Sequence, residues 1–582
     1  MMRATQSAMA RKPKLGALGL GVAVLAGALP LSPAMAQDTS PSQTQPGATA
    51  VEPSPASRFS FPPAQGLTAP AGAEAIRFQL SDIAVEGQFP ELEATSRDLE
   101  AAHAGREVSV SSIYAFASDL QQAYIGAGFP LARVVVPPQE LGDNGVVRIV
   151  VVDGFVEAVD ASQLAEEVRA QVMKVLQPLI GERRPTRAAL ERRLLIAGDS
   201  AGLALSSTLT PGRQTGATVL VLTGDYDSKS AVLAADNRVS SQLGRSQITA
   251  SVAFNSALGH GERIYVTFAA HPDGGMFSED SRRRYFALGA SLPVGDDGWT
   301  VGLTADYSTT HPGDDVAPQM LESSYSRIGA SASYPILRSR TANLVGRVGF
   351  DAASDTQATK LGGPTTTLSA DRIRALRFSL DGDARLSDDR TVTYGVGLSH
   401  GLDILGARMA SEASVLKPLS RAGADAEFTA IDGNLSLSSP AFFGTNSTFS
   451  ARGRFGFNEP LLRSEQFSPV GWDEMSGPPP GLLIGDSGAV ARIELERPYS
   501  LNDGAIAPYA FASATTVKLE QPSILERART EATGIGVGVR LGAGRRAGGG
   551  FDFAGTLELS QVSSDQHDVD RSWISAAFAM RF

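Results

Sequence analysis

The chain ends on Trp573-Ile-Ser-Ala-Ala-Phe-Ala-Met-Arg-Phe582, where apolar residues alternate with smaller or more polar ones. Side chains of a β-strand point alternately to its two faces, so this stretch predicts a strand with one oily and one wetter face. The oily face would carry Ile574, Ala576, Phe578, Met580 and Phe582. A strand between lipid and an aqueous lumen needs this pattern, although an ordinary sandwich strand alternates as well.

The same alternation recurs through the preceding chain. Gly-, Pro- and Asp-containing loops such as His311-Pro-Gly-Asp-Asp315 separate the alternating segments. Strands at regular spacing with turn residues between them are typical of an all-β sandwich or barrel. The region 227–582 is too long for one sandwich and suits a large barrel with long loops on one side. Its clearest alternating segments are residues 248–255, 263–268, 299–307, 392–399 and 534–540.

The N-terminal residues have the pattern of an export signal. Residues 1–36 combine a basic start, an apolar run from Leu15 to Leu31 and the ending Ala34-Met-Ala36. This order predicts a signal peptide cleaved between Ala36 and Gln37, with a membrane-anchoring helix as the alternative. No later stretch has the eighteen or so unbroken apolar residues of a spanning helix, so the exported chain would be soluble or would cross a membrane as a closed barrel.

Residues 37–75 are rich in Pro, Ser, Thr and Gln, which predicts a mobile periplasmic linker.

The composition of the chain argues against several functions. The formal net charge of −11 argues against a nucleic-acid partner. The chain has no cysteine, its six histidines are isolated, and neither an HExxH pair nor a Walker A sequence occurs. No catalytic, metal-binding or cofactor-binding residue is therefore predicted, although an undetected active site stays open.

Residues 76–226 contain two successive units of similar order, which predicts an internal repeat of two small α/β modules at 76–153 and 154–226. In each unit a strand is followed by helical sequence and then by two strands. The first unit has strands at 78–85, 134–136 and 146–152 and a helix at 111–127. The second has strands at 155–159, 203–209 and 217–222 and helices at 162–179 and 186–197.

Short motifs in these regions resemble the ShlB/FhaC/HecB family. The sequences 124–130 (YIGAGFP), 136–139 (VPPQ) and 150–154 (VVVDG) resemble its first POTRA domain, and 190–195 (LERRLL) with 209–212 (LTPG) resembles its second. In the barrel, 333–338 (SYPILR), 401–407 (GLDILGA) and 464–467 (SEQF) match its landmarks. Within the two modules the landmark residues are Tyr124, Gly128, Pro137, Pro138, Gln139, Pro211 and Gly212.

The resemblance implies a mainly β protein, with a transmembrane barrel of about sixteen antiparallel strands after two periplasmic POTRA domains. It implies a bacterial outer-membrane transporter of two-partner (type V) secretion, whose exoprotein client docks on the POTRA domains through an N-terminal secretion domain. Other implied partners are outer-membrane lipid and the barrel-assembly machinery that recognises Phe578, Met580 and Phe582; no cofactor is implied. A BamA-like assembly factor, a passive porin and an outer-membrane enzyme are the alternatives.

The Gly and Pro landmarks have a structural interpretation, because these residues end helices and strands. A binding role is the other interpretation. An extended client can add to an open sheet edge through main-chain hydrogen bonds, which requires no particular side chain.

One loop departs from the family pattern. After the SEQF landmark the family has Val-Arg-Gly-Tyr or Val-Arg-Gly-Phe, whose arginine pairs with a wall aspartate. Here Ser476 and Gly477 occupy that position, no Arg or Lys occurs between Arg463 and Arg492, and the wall strand 508–514 has no acid. We expect a loop that enters the lumen without an ionic lock, unless this variable loop is misaligned. It would be held by Pro478-Pro479-Pro480, Trp472, Leu482 and Leu483.

Overall fold

The computed structural model describes residues 39–46, 58–59, 67–140, 145–313, 320–361, 363–502, 504–524, 526–543 and 552–582. The predicted signal peptide and its cleavage site at Ala36 and Gln37 lie outside the described residues. So does most of the predicted linker. One short linker segment forms strand β1, Arg58–Phe59.

The first module is a four-stranded sheet covered by two helices. Its elements are β2 Arg77–Glu86, α1 Glu93–His103, β3 Glu107–Ser109, α2 Val110–Gly126, β4 Arg133–Val135 and β5 Gly145–Val152. The strand order is β3-β2-β5-β4, with β2 and β5 parallel. Phe116 and Leu120 of α2 pack on Leu80 and Ile149 of the sheet. Helix α1 was missed in the sequence because, of its residues, only Ser96 is buried, so its apolar pattern is weak.

The second module repeats this plan. Its elements are β6 Phe155–Asp160, α3 Glu166–Leu176, α4 Arg187–Gly198, β7 Leu203–Pro211 and β8 Ala217–Tyr226. The order is β1-β7-β8-β6, so the linker strand β1 is added to the module at its β7 edge. Thr186 caps α4 by accepting a hydrogen bond from Ala189 N at 3.2 Å. Leu176, Leu194 and Leu220 are each about 1 % exposed or less.

The remaining chain closes into one antiparallel barrel of sixteen strand positions, as the family resemblance implies. Strand β21 continues the line of β20 past Pro498, and both pair with β22. The barrel strands are β9 Lys229–Asp236, β10 Gln247–Asn255, β11 Arg263–Ala270, β12 Arg283–Val294, β13 Trp299–Thr310, β14 Leu321–Arg338, β15 Ala342–Thr359, β16 Thr366–Ser387, β17 Arg390–Gly401, β18 Thr429–Pro440, β19 Asn446–Phe455, β20 Ser487–Glu496, β21 Tyr499–Leu501, β22 Gly504–Lys518, β23 Arg529–Ala543, β24 Asp552–Ser564 and β25 Arg571–Arg581.

The two faces of the barrel wall differ as predicted. Large apolar side chains such as Leu303, Ile328 and Ile535 are more than 60 % exposed on the outer face. In the last strand, Ile574 is 66 % exposed whereas its neighbour Ser575 is 2 % exposed. A wall with an apolar outer face and a polar inner face is what a barrel in lipid requires. No helix in the described part of the chain is long and apolar enough to cross a bilayer.

The barrel closes where β25 meets β9. The paired register runs only from Ala577 opposite Asp236 to Arg581 opposite Val232. The final residue extends this seam, because Phe582 N donates to Ala231 O at 2.9 Å and Ala231 N donates to Phe582 O at 3.3 Å. The end of the chain therefore takes part in closing the barrel.

Candidate functional site in the barrel lumen

Residues 456–486, between β19 and β20, fold back into the lumen and are called the inward loop. Its base is closed by two backbone hydrogen bonds between Phe467 and Gly485, of 2.7 and 2.9 Å. Leu482 and Leu483 are buried in one apolar cluster with wall residues such as Val490. The loop enters the lumen as expected.

The loop tip, Met475-Ser476-Gly477, rests against the inner wall. Ser476 is 1 % exposed, and its Oγ accepts a hydrogen bond from Arg492 Nη1 at 2.8 Å. Gly477 has a φ of +111°, and a Cβ there would lie 3.0 Å from the Trp573 ring and closer still to Ser560 Oγ. A side chain at this position would be strained and crowded, so glycine is needed for the tip to lie this close to the wall.

Behind the tip lies a buried cluster of charged wall residues. Arg492 Nη2 is 2.7 Å from Glu494 Oε2 and 3.3 Å from Glu558 Oε2. Tyr509 donates to Glu558 at 2.9 Å, and the Arg492 guanidinium lies 3.5 Å from the centre of the Phe511 ring. The acids come from β20 and β24 and not from the wall stretch 508–514, which explains why the sequence of that stretch showed none.

The inward loop is also held by ion pairs, and in these the loop supplies the acid. Glu474 forms a two-pronged pair with Arg452 of β19, at 2.5 and 2.8 Å. Glu465 forms a second such pair with Arg377 of β16, at 2.8 and 3.2 Å. Two-pronged arginine–carboxylate pairs fix geometry as well as adding energy.

The expectation of a loop without an ionic lock is therefore wrong. The family pattern implies an arginine on the loop and an acid on the wall, whereas this chain has loop acids and wall arginines. The arginine beside the loop tip is Arg492, which belongs to the wall and not to the loop. Of the predicted apolar contacts, Leu482 and Leu483 lie in the cluster, and Trp472 packs under the Arg238 guanidinium at 4.6 Å.

A second segment occupies the lumen beside the inward loop. Within residues 39–46, Ser42 Oγ donates to Asp355 at 2.5 Å, and Thr310 Oγ1 donates to Thr39 O at 2.8 Å. Gln43 Nε2 donates to Arg463 O of the inward loop at 2.5 Å. The prediction of a mobile periplasmic linker differs from the structure here, since polar residues that cannot form a core of their own find partners on a polar wall.

A chamber of about 630 Å³ lies on the inner wall around β14 to β16. Its lining includes Arg327, Arg377 and Arg454, with Asp351 and Asp432 among them. Each of these acids pairs with an arginine, Asp351 with Arg377 at 2.6 Å and Asp432 with Arg454 at 2.7 Å. Arg347 lies in the same lining, so arginines outnumber acids four to two among the residues of this wetted surface.

The second module is joined to the barrel through two of the family landmarks. Arg192, in the 190–195 motif on α4, donates to Pro335 O at 2.8 Å and to Tyr334 Oη at 3.1 Å in the 333–338 motif. The side chains of Arg192 and Tyr334 also bind Asp297, whose carboxylate accepts a hydrogen bond from Tyr334 Oη at 2.7 Å. Burial opposes ionisation of this carboxyl, but the bonds from Tyr334 and Arg192 outweigh it and lower the pKa of Asp297.

The predicted landmarks in the modules have local structural roles. The buried Tyr124 hydroxyl accepts from Phe89 N at 3.2 Å, and Gly128 follows α2 with a φ of +96°. Pro137 and Pro138 come directly after β4. The Gln139 side chain accepts from Arg148 N at 2.8 Å and donates to Arg148 O at 2.9 Å.

The last two landmark residues, Pro211 and Gly212, lie at the turn after β7. Pro211 is the last residue of that strand, and Gly212 N donates to Ala217 O at 2.9 Å. The landmarks are thus spread over both modules and do not meet in one site.

One sequence pattern that could suggest catalysis has a structural role here. Gly397-Leu-Ser-His-Gly401 has the spacing of a nucleophile elbow, but it lies within β17 and Ser399 Oγ accepts a hydrogen bond from Arg377 at 2.9 Å. Among the described residues, no group of three or more His, Asp or Glu side chains could hold a metal ion.

The residues that organise the lumen were missed in the sequence. Arg492 of β20 and Glu558 of β24 are far apart in the chain and meet on the inner face of the wall, across the two strands β22 and β23 that separate them. Asp486, fully buried at the end of the inward loop, accepts from Leu461 N and Gln466 Nε2 and pairs with Arg421 at 3.5 Å. A charged residue at an inward-facing position of a strand is the one signal that could have suggested them.

A closed barrel with a filled polar lumen and two α/β modules at one end defines a POTRA-bearing β-barrel. The model of the haemolysin secretion/activation protein family ShlB/FhaC/HecB matches residues 216–541, and the ShlB-type POTRA domain matches residues 78–154. The chain belongs to the ShlB/FhaC/HecB family.

Relatives and solved structures agree with this assignment. The heme/hemopexin transporter protein HuxB of Haemophilus influenzae strain 86-028NP is 22 % identical over 303 residues, which is 51 % of each chain. The match thus spans about half the length of this curated relative. CdiB from Escherichia coli has the same fold, with a TM-score of 0.68, 18 % identity and coverage of 94 % and 95 % of the two chains. CdiB from Acinetobacter baumannii also has this fold, with a TM-score of 0.59 and 14 % identity, and the match covers 91 % of this chain and 94 % of that CdiB chain.

Proposed function

We propose that this protein is an outer-membrane translocator that exports an unfolded exoprotein through its barrel. The filled lumen is the observation that carries the proposal. The inward loop and residues 39–46 occupy a polar passage, where hydrogen bonds and ion pairs hold both segments, and the apolar cluster around Leu482 and Leu483 also holds the loop. Water can replace the polar contacts when a segment leaves, so release of the loop costs mainly the burial of that apolar cluster.

The modules give the route its direction. They lie at the barrel end where Arg192 contacts the β12–β13 turn and the last residues of β14, and this end would face the periplasm. The client would dock on the modules through its N-terminal secretion domain and thread outward past the displaced loop. Lipid would surround the apolar outer wall, and the barrel-assembly machinery would recognise the strand that ends at Phe582.

The charged wall cluster around Arg492 is compatible with an inward loop that leaves the lumen during export. When the loop tip leaves, Arg492 loses its bond to Ser476 but keeps Glu494 and Glu558. No buried charge on the wall is left without a partner, so opening avoids the cost of about 3–5 kcal/mol for a broken buried pair. The pairs of Glu465 and Glu474 that do break involve arginines whose side chains are about one-third exposed and can be solvated by water.

Deletion of Ile76 to Leu222 tests the proposal. We expect a barrel that still folds and inserts, no secretion of the exoprotein, and no capture of its N-terminal fragment. Ile524→Ser, at a fully exposed position on the opposite end, is the matched control and should secrete normally. Capture of the fragment by the barrel alone contradicts client docking on the modules. A general loss of other outer-membrane barrels would instead favour an assembly factor.

A further inference from the structure

The outer face of β16 changes from apolar to basic along its length. Asp371, Ile373 and Arg377 face the lumen, where Arg377 pairs with the inward loop, so the residues between them face outward. From the module end, the outward residues are Ala384, Gly382, Leu380, Phe378, Leu376, Arg374 and Arg372. An apolar band that ends in two arginines marks the level where hydrocarbon gives way to lipid headgroups.

The neighbouring strands place the border at the same level. Arg374 is paired with Ala352 of β15, and Ala352 is paired with Ile328 of β14, whose side chain is 67 % exposed. Ile328 is the last large apolar residue on the outer face of β14 before the loop that precedes this strand. One outward position further along β16, Arg372 is paired with Ser354. The two arginines therefore lie at the edge of the apolar wall, on the side away from the modules.

No acid neutralises either arginine. The Arg372 side chain is exposed and, in the described part of the chain, has neither an ion pair nor a hydrogen bond. Arg374 Nε donates to Leu405 O at 3.2 Å and its Nη1 donates to Ala353 O at 3.1 Å, which leaves Nη2 without a partner among the same residues. Residues two apart on a strand are separated by about 7 Å, so both guanidiniums can reach one phosphate group.

The backbone of this region is fixed before any ligand binds. Residues 402–408, which follow β17, run along β16 beyond the end of its pairing with β17. Leu402 N donates to Arg374 O at 2.7 Å, and Arg408 N donates to Arg372 O at 2.9 Å. A site whose backbone is already ordered loses less conformational entropy on binding.

The turn within this segment exposes apolar surface beside the arginines. Ile404 is 44 % exposed and Leu405 is 72 % exposed. Leu405 also has a φ of +50°, a left-handed conformation that is uncommon and costly for a bulky residue. Because its carbonyl accepts the hydrogen bond from Arg374, the exposed leucine is adjacent to the guanidinium. Strain that persists in an ordered turn points to a role for the side chain.

We propose that Arg372, Arg374 and the turn at Leu405 form a binding site for a phosphorylated glycolipid of the outer leaflet. The guanidiniums bind a headgroup phosphate, and the exposed leucine contacts the acyl chains. Arginine suits this role because its planar set of donors matches phosphate oxygens. The inference rests on the proposed function, which places this end of the barrel outside the cell, and it specifies which lipid binds the wall there.

Three variants of the full-length protein test the site. Arg372→Ser removes one guanidinium without breaking a hydrogen bond, so the barrel should fold normally. Arg390→Ser is the matched control, because Arg390 is another exposed arginine, at the module end of the same wall. Leu405→Gly removes the apolar contact and relieves the positive φ, so folding should not suffer. Folding is checked by heat-modifiability on gels.

The probe is diphosphorylated lipid A, compared with its dephosphorylated form and with phosphatidylglycerol, and bound lipid is counted by native mass spectrometry. Arg372→Ser should bind diphosphorylated lipid A about tenfold more weakly than the wild type, with Arg372→Lys between them. Arg390→Ser should bind as the wild type does. Leu405→Gly should weaken the binding of both forms of lipid A about threefold.

The outcomes separate the lipid site from the translocator function. Equal binding of lipid A by Arg372→Ser and the wild type overturns the site and leaves the translocator function intact. Equal binding of the dephosphorylated form, or of phosphatidylglycerol, by the wild type overturns recognition of a phosphorylated glycolipid. Loss of exoprotein release by Arg372→Ser at unchanged lipid binding assigns the arginines to the emerging client, which also overturns the lipid site.

The orientation of the barrel is tested separately. Because the chain has no cysteine, Ile524→Cys introduces a single thiol at a fully exposed position on the end away from the modules. An impermeant maleimide should label it in intact cells. Absence of labelling overturns the outward orientation of this end, and with it both the lipid site and the direction of export.

Discussion

The second module and the barrel lumen are both buried, but different forces hold them. The module's interior is apolar, with Leu176, Leu194 and Leu203 at 1 % exposure or less. The lumen's interior contains paired charges, with Arg492 and Glu558 at similar exposure. Apolar burial is lost as soon as water enters, whereas a paired charge on a wall keeps its partner when a neighbouring segment leaves. The module is thus built to persist, and the lumen is built to open without losing its wall.

The largest effect is expected from breaking the wall pair. Arg492→Gln leaves the fully buried Glu558 carboxylate without its arginine, which should destabilise the barrel by about 3–5 kcal/mol. The measurement is the temperature at which the folded band disappears on a heat-modifiability gel. Arg540→Gln, at a more exposed arginine of the same wall, is the control, and an equal effect there would contradict the importance of burial.

The corresponding test in the second module removes part of a buried apolar side chain. Leu194→Ala removes a side chain that is 1 % exposed and should cost the second module about 3 kcal/mol. Limited proteolysis in urea should show earlier cleavage of the modules with the barrel band unchanged. Cleavage that moves together with barrel unfolding would show that the two regions do not differ in the way described.

The loop tip should respond to added charge. Ser476→Arg puts a second guanidinium against Arg492, and repulsion should displace the tip at a cost of about 2 kcal/mol. Larger single-channel conductance with a folded barrel is the expected result, and Ser476→Thr should stay close to the wild type. Improved secretion at unchanged conductance would mean that Glu558 binds the new arginine in place of Arg492.

Removal of Phe582 tests the seam between β25 and β9. Two backbone hydrogen bonds to Ala231 are lost, worth about 2 kcal/mol together. The folded fraction on gels should fall, and more so in cells if the assembly machinery reads this residue. Phe582→Tyr keeps the backbone bonds and the aromatic ring and should assemble normally; unchanged folding after removal would count against the seam.

The smallest effect is expected where the module meets the rim. Arg192→Lys loses the forked contact with Asp297 and Tyr334, at about 1 kcal/mol after solvent screening. Because the pKa of Asp297 is lowered in the folded protein, its contribution to stability is present above the ordinary aspartate pKa and is lost as the pH falls from there through the lowered pKa. Proteolytic release of the modules should therefore increase only in acid, and a change near neutral pH would contradict this assignment.

Strands and helices whose apolar residues recur at a short, regular spacing could be predicted from the sequence. The alternation in residues 573–582 correctly indicated a barrel strand, and the helical spacing in 111–127 correctly indicated α2. Helix α1 and the polar segment 39–46 could not be predicted, because neither has an apolar period to read. The loop position of Ser476 and Gly477 followed from the family motif, but its partner did not.

The strand pattern, the two α/β modules and the family could be predicted from the amino-acid sequence, since each depends on residues close together in the chain. How the lumen is filled could not, because it depends on contacts that form only in the folded barrel. Pairing of the barrel strands brings Arg492 and Glu494 of β20 together with Glu558 of β24 and sets loop acids against wall arginines. Charge pairing depends on distances of a few ångströms between residues far apart in the chain, and no local pattern encodes those distances.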